Sequence, residues 1–158
     1  MLPTIRLNGK MHTRRSVAVR LNGVIRLTAI DSIDWSDEVP AELIGGMNNG
    51  GPPLGKALGD YGCAASMGMY LDATAAFEAS LLTLNPLALG NLADATFQLV
   101  INVIEDTRLV NTVLVNCTIT SRAVTVGSDG AALVKTYALQ PTTVVTNGAS
   151  MVSLVPAL

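Results

Sequence analysis

The sequence predicts a mainly β fold: an antiparallel β-sandwich or barrel flanked by one short α-helix at about residues 73–84. Three observations carry this. Apolar residues alternate with polar ones through most of the chain, the period that gives a strand one buried face. Clusters of Gly, Asn and Asp punctuate the alternations as turns do. Only one stretch changes to the three-to-four spacing of a helix.

Taken in order, residues 1–15 hold scattered basic residues and the single His12, and read as an N-terminal arm. Val17, Val19 and Leu21 then alternate, Asn22-Gly23 intervenes, and Ile25, Leu27 and Ala29 alternate again. Asn and Gly both tolerate the positive φ of a type I′ turn, so this is a hairpin. The acidic stretch 31–42 closes its second strand. Residues 45–59, rich in Gly and Asn and carrying Pro52-Pro53, suit neither a helix nor a central strand, and their length marks an interaction loop.

From Gly62 the pattern sharpens. Cys63, Ala65, Met67, Met69 and Leu71 point one way, and Ala64, Ser66, Gly68 and Tyr70 the other. Asp72 offers a carboxylate to the free amides of a helix start. Ala73, Ala76, Phe77, Ser80, Leu81 and Leu84 form one stripe, with Phe77, Leu81 and Leu84 as its core, and Asn85-Pro86 ends the helix. The second half returns to strands: Phe97, Leu99, Ile101 and Val103, then Leu109 onward through Val113, Val115, Cys117 and Ile119. Residues 127–130 make a turn, Leu133, Tyr137 and Leu139 precede Pro141, and a last strand leads into Asn147-Gly148. No repeat or linker divides residues 16–158, which form a single domain.

Composition bounds the function. Apolar residues make up 49% of the chain and mean hydropathy is +0.44, while charged residues are 14%, well below the usual share of about 25%. A dispersed monomer needs a better-charged surface, so much of the exterior is expected to meet other chains. No run of about 18 apolar residues is present, which excludes a membrane-spanning helix. Residues 1–15 have no apolar core of a secretory signal. The net charge of −2 gives no basic face for gripping phosphates.

Candidate chemistry is sparse. His12 has no carboxylate or thiol near it in sequence, and Cys63 and Cys117 read as two buried thiols rather than a disulfide. Asp31, Asp34, Asp37, Glu38 and Glu42 lack the ligand spacing and central glycine of a calcium loop and read as a solvated acidic surface. The glycines of residues 45–51 have no following Gly-Lys-Ser/Thr and cradle no phosphate. Trp35 reads as a packed or interface aromatic. No catalytic, cofactor-binding or metal-ligating residues are expected, and the chain is not read as an enzyme.

Three segments resemble the tail tube proteins of tailed bacteriophages. Residues 16–35 are similar to the family's opening hairpin running into an acidic segment. Residues 61–84 are similar to its strand and single helix, with Ser66-Met67-Gly68-Met69-Tyr70 and the helix Phe77. Residues 113–148 are similar to its cysteine-bearing strand, its Gly-Ser-Asp turn and its late strand ending in Asn-Gly. The resemblance implies a structural subunit of a phage tail tube, in stacked hexameric rings whose lumen, lined by a continuous sheet, conducts DNA during ejection without binding it specifically. Its partners would be itself and tail proteins such as sheath, terminator, tape measure and baseplate hub. Its place would be the virion tail, after assembly in the host bacterial cytoplasm. No cofactor and no membrane insertion are implied.

On that reading, Asp31, Asp34, Asp37, Glu38, Asp106 and Asp129 give the lumen a negative wall. Met47, Asn48, Asn49, Pro52, Pro53, Leu54 and Lys56 are the subunit contacts of the loop, with the N-terminal arm as a second candidate. A type VI secretion-like tube protein, a single-ring tail terminator or hub adaptor, and a monomeric ligand-carrying barrel are the competing readings.

Overall fold

The computed structural model describes residues 4–13, 16–44, 55–105, 107–126 and 133–151. The chain opens with β1 (Thr4–Leu7) and β2 (Lys10–Thr13), then β3 (Val17–Leu21), β4 (Ile25–Leu27) and β5 (Ile30–Glu38). A separate ribbon follows, β6 (Ala41–Ile44) with β7 (Gly55–Leu58), before β8 (Gly62–Tyr70) and the helix α1 (Leu71–Leu84). The second half comprises β9 (Phe97–Glu105), β10 (Arg108–Val126), β11 (Leu133–Gln140), β12 (Thr143–Thr146) and β13 (Ala149–Ser150).

Eleven strands form one sheet in the order β2-β1-β5-β8-β11-β10-β9-β3-β4, with β12 and β13 branching from β10. Strand β10 belongs to both halves: residues 118–126 pair with β11, while residues 108–117 pair with β9. Its register shifts between Leu114 and Cys117 and again between Ile119 and Ser121. Bulges of this kind bend a strand, so β10 carries the sheet from one layer to the other. The result is an open sandwich, not a closed barrel. Pairing is antiparallel throughout except between β1 and β5, which run parallel.

Three Asn-Gly turns explain much of this path. Asn8-Gly9, Asn22-Gly23 and Asn147-Gly148 all have positive φ, as type I′ turns require. Each asparagine also stitches its turn to the next strand. Asn8 donates its N–H to the Ile33 carbonyl and accepts from Trp35 N–H; Asn22 does the same with the Gln98 backbone, and Asn147 with the Asn111 backbone. The turn thereby satisfies backbone groups that would otherwise be orphaned.

The core lies between the layers, with Ile33, Met67, Met69, Tyr137 and Leu139 facing Val19, Leu21, Leu99, Ile101 and Leu114. Phe77 and Leu81 are 2% and 0% exposed, and Phe77 meets Phe97 and Tyr137 edge-on at ring-centroid distances of 6.2 and 5.3 Å.

Several expectations need correcting. Leu84 is 41% exposed: it ends the helix one turn beyond Leu81, the last buried residue of the helix. Tyr70, not Asp72, stands at the helix N-cap and makes no side-chain cap bond; Asp72 lies in the first turn, where its charge complements the helix dipole. The acidic stretch does not end a strand: residues 30–38 are themselves β5, paired along β8. The alternation through Val113, Val115 and Cys117 is broken at Asn116 (φ 52°), which shifts the phase and puts Leu114 in the core. Within the expected N-terminal arm, residues 4–13 form a hairpin whose Ile5 and Leu7 join the core.

Candidate assembly interface

One face of the layer built from β5, β8 and β11 packs on the core; the other, outer face is exposed at Asp34, Ser36, Glu38 and Ala64 and closes toward Gly68 and Val134, which are buried. On β5, Ser32, Asp34, Ser36 and Glu38 stand opposite Gly68, Ser66, Ala64 and Gly62 of β8, and Thr136 and Ala138 of β11 continue two of those rows. Nearly every side chain here is small, so the surface is smooth. Gly68 is the tightest point, since a Cβ there would come within 2.9 Å of Ser32 Oγ and 3.2 Å of Val134 Cγ1. Arg6 stands beside Ser32 at the β1 end of that row.

The expected acidic residues separate by strand phase. Asp34 and Glu38 are exposed on the outer face, and Asp31 accepts a hydrogen bond from Tyr70 Oη at 3.4 Å. Asp37 shares the opposite phase with its cross-strand neighbour Cys63, and accepts from Tyr61 Oη at 3.4 Å. Asp106 and Asp129 lie outside the described residues.

Strands β2 and β4 end the sheet order, so each has an edge with no strand partner among the described residues. Large apolar side chains are exposed at the extremities: Ile104 and Leu109 by the β9–β10 turn, Val124 and Leu133 where β10 meets β11, and Leu87 and Leu89, 94% and 92% exposed, just after the helix. Among the described residues the β6–β7 ribbon pairs with no other strand, and every side chain described in it is exposed, Leu43 at 64% and Leu58 at 72%. Lys56 lies in β7 opposite Leu43. Met47, Asn48, Asn49, Pro52, Pro53 and Leu54 lie outside the described residues.

A charged cluster that the sequence reading missed ties the helix to the sheet. Glu78 accepts from Lys135 Nζ at 2.5 Å, Tyr137 Oη at 2.8 Å and an Arg122 guanidinium nitrogen at 3.2 Å. Burial alone would raise the Glu78 carboxyl, but the hydrogen bonds and nearby cations outweigh it and hold it below its ordinary range. The signal was there. Lys135 shares the phase of Tyr137 and Leu139, and an inward-facing lysine needs a carboxylate.

Both cysteines are free. Cys117 is fully buried, and burial pushes its thiol up to about 12. Cys63 is only half-buried and donates to the Pro141 carbonyl at 2.9 Å; burial raises its thiol as well. Among the described residues, no group of three or more His, Cys, Asp or Glu side chains is placed to hold a metal ion.

An open sandwich with a strand shared between its layers and a single flanking helix is a fold built to present edges and faces. No family model matches this chain, and no curated protein matches it. Among solved structures, the chain is similar to a component of the anti-feeding prophage cap (AFP tube terminating cap), with 13% identity over 85% of this chain and 89% of that one, TM-score 0.57. It is similar also to a component of the PVC sheath-tube complex of an extracellular contractile injection system in its extended state, with 14% identity over 94% and 93%, TM-score 0.56. At these identities the likeness shows the fold, and that fold agrees with the tail tube resemblance read from the sequence.

Proposed function

We propose that this chain is a non-enzymatic structural subunit of a phage tail tube, which forms hexameric rings that stack around a lumen conducting DNA. The observation that carries this reading is the outer face of β5, β8 and β11. It is broad, built of small side chains and marked by Asp34 and Glu38. A conduit wall needs smoothness and like charge, so that phosphates slide rather than bind. The edges of β2 and β4, which have no strand partner among the described residues, and the exposed apolar hairpin ends supply surfaces for joining copies.

On this reading the protein resides in the virion tail, assembles in the host cytoplasm and contacts other tail proteins such as sheath, terminator, tape measure and baseplate hub. Residues 45–59 reach neighbouring subunits, and the acidic residues lining the lumen include Asp34 and Glu38. The likeness to the AFP cap component favours one second reading, a single-ring terminator. Sedimentation velocity with negative-stain imaging of the purified protein separates the two. Long hollow tubes support the tube subunit, and rings that never stack support the terminator. A monodisperse monomer at high concentration would sink both.

A further inference from the structure

The β4 edge carries two unmatched features. Arg26 stands directly opposite Arg20 of β3, both exposed, and neither has an ion pair or side-chain hydrogen bond among the described residues. Like charges placed directly across a strand pair repel. A largely apolar groove of about 140 Å³ also runs between β4 and the helix; Ile25, Leu27, Ala73, Ala76 and Phe77 line it, together with Arg26 itself. An apolar cavity of about that volume accepts a benzene-sized group, enough for a leucine side chain.

The β6–β7 ribbon carries the complement. The Ala41–Leu58 and Leu43–Lys56 pairs share one face, while the Glu42–Ala57 and Ile44–Gly55 pairs share the other. Its leucines Leu43 and Leu58 are 64% and 72% exposed, and an isolated two-stranded ribbon is marginal in water. The outer edge of β6, like that of β4, has no strand partner among the described residues.

We propose that β6 of one copy adds to the β4 edge of a second copy, with Glu42 beside Arg26 and the Leu43 face over the groove between β4 and the helix. Strand addition matches both faces at once. The period of two that puts Arg26 outward and Ile25 and Leu27 inward on β4 also puts Glu42 outward and Ala41 and Leu43 inward on β6. Glu42, Arg26 and Arg20 then form one cross-strand row in which a carboxylate relieves the arginine opposition. The contact is heterologous, edge to a different edge, so it generates rings or filaments rather than closed pairs. This inference rests on the self-assembly proposed above and names the surface that performs it.

Charge exchange tests it. Arg26→Glu should raise the concentration needed for assembly by about tenfold or more, since it sets like charges across the new strand pair. Adding Glu42→Arg to the same chain should restore assembly, while Leu43→Asp should abolish it with the melting temperature of the unassembled protein unchanged. If wild type assembles and Arg26→Glu assembles equally well, the β4 edge is not the acceptor and the inference falls while the tube reading stands. If the double variant stays unassembled, the groove belongs to another partner and the inference falls. If wild type itself never assembles, both fall together.

Discussion

Replacing Phe77 with alanine tests the packing that holds the helix on the sandwich. Phe77 is 2% exposed and its ring is wedged edge-on between Phe97 and Tyr137. Phe→Ala in a core costs about 3–5 kcal/mol, and two edge-to-face contacts, each worth about 0.5–1.5 kcal/mol, place this site in the upper part of that range. Against a total stability of about 5–15 kcal/mol, this is a large loss. Leu81→Ala, at a fully buried position, should cost about 2–5 kcal/mol. Leu84→Ala, at a position 41% exposed, should stay within about 0.5 kcal/mol. Urea unfolding, followed by fluorescence of the sole tryptophan, Trp35, at concentrations too low for assembly, measures all three. A Phe77→Ala loss below about 1.5 kcal/mol, or a Leu84→Ala loss as large as that of Phe77→Ala, would refute the packing argument.

Two further outcomes follow from the electrostatics. Because Glu78 is held below its ordinary value of 4.5, its contribution is fully present above that pH and is lost as pH falls through its lower folded value. Glu78→Gln should therefore lose stability at pH 7 and show a shallower decline under acid than wild type in parallel urea titrations; identical acid profiles would count against the cluster. For the thiols, Cys63 should react slowly with a maleimide in the native state and Cys117 only on unfolding, read by mass spectrometry. Native labelling of Cys117 at the Cys63 rate would contradict its burial.

The sequence exposed what strong periodicity and paired turn residues encode. The runs around Met67 and Met69 and around Leu99 and Ile101 bury the face that their spacing selects, while of the helix stripe Phe77 and Leu81 are buried and Ala76 and Leu84 are exposed. The hairpin at Asn22-Gly23 formed for the reason its residues suggest. Asn8-Gly9 carries the same signal, but only Ile5 and Leu7 mark its first strand and the second has a single apolar residue, the exposed Met11, so the hairpin hid inside an apparent arm. Strand β5 was hidden by its acids, since within it only Ile30 and Ile33 are buried. The bulge at Asn116 and the exposure of Leu84 depend on how distant strands meet, which no local pattern records. At the candidate interface, Asp34 and Glu38 were legible as surface acids, while the separation of Asp37 from them required the strand register. The proposed pairing of β6 with β4 rests on edges that no local sequence pattern marks, each without a strand partner among the described residues.

A helical cryo-EM reconstruction of the assembled protein tests the central claim most directly. The account predicts stacked six-fold rings around a continuous channel, with Asp34, Ser36, Ser66 and Ala138 facing the lumen. A reconstruction with that face turned outward, or with a lumen lined by arginines and lysines, would contradict it.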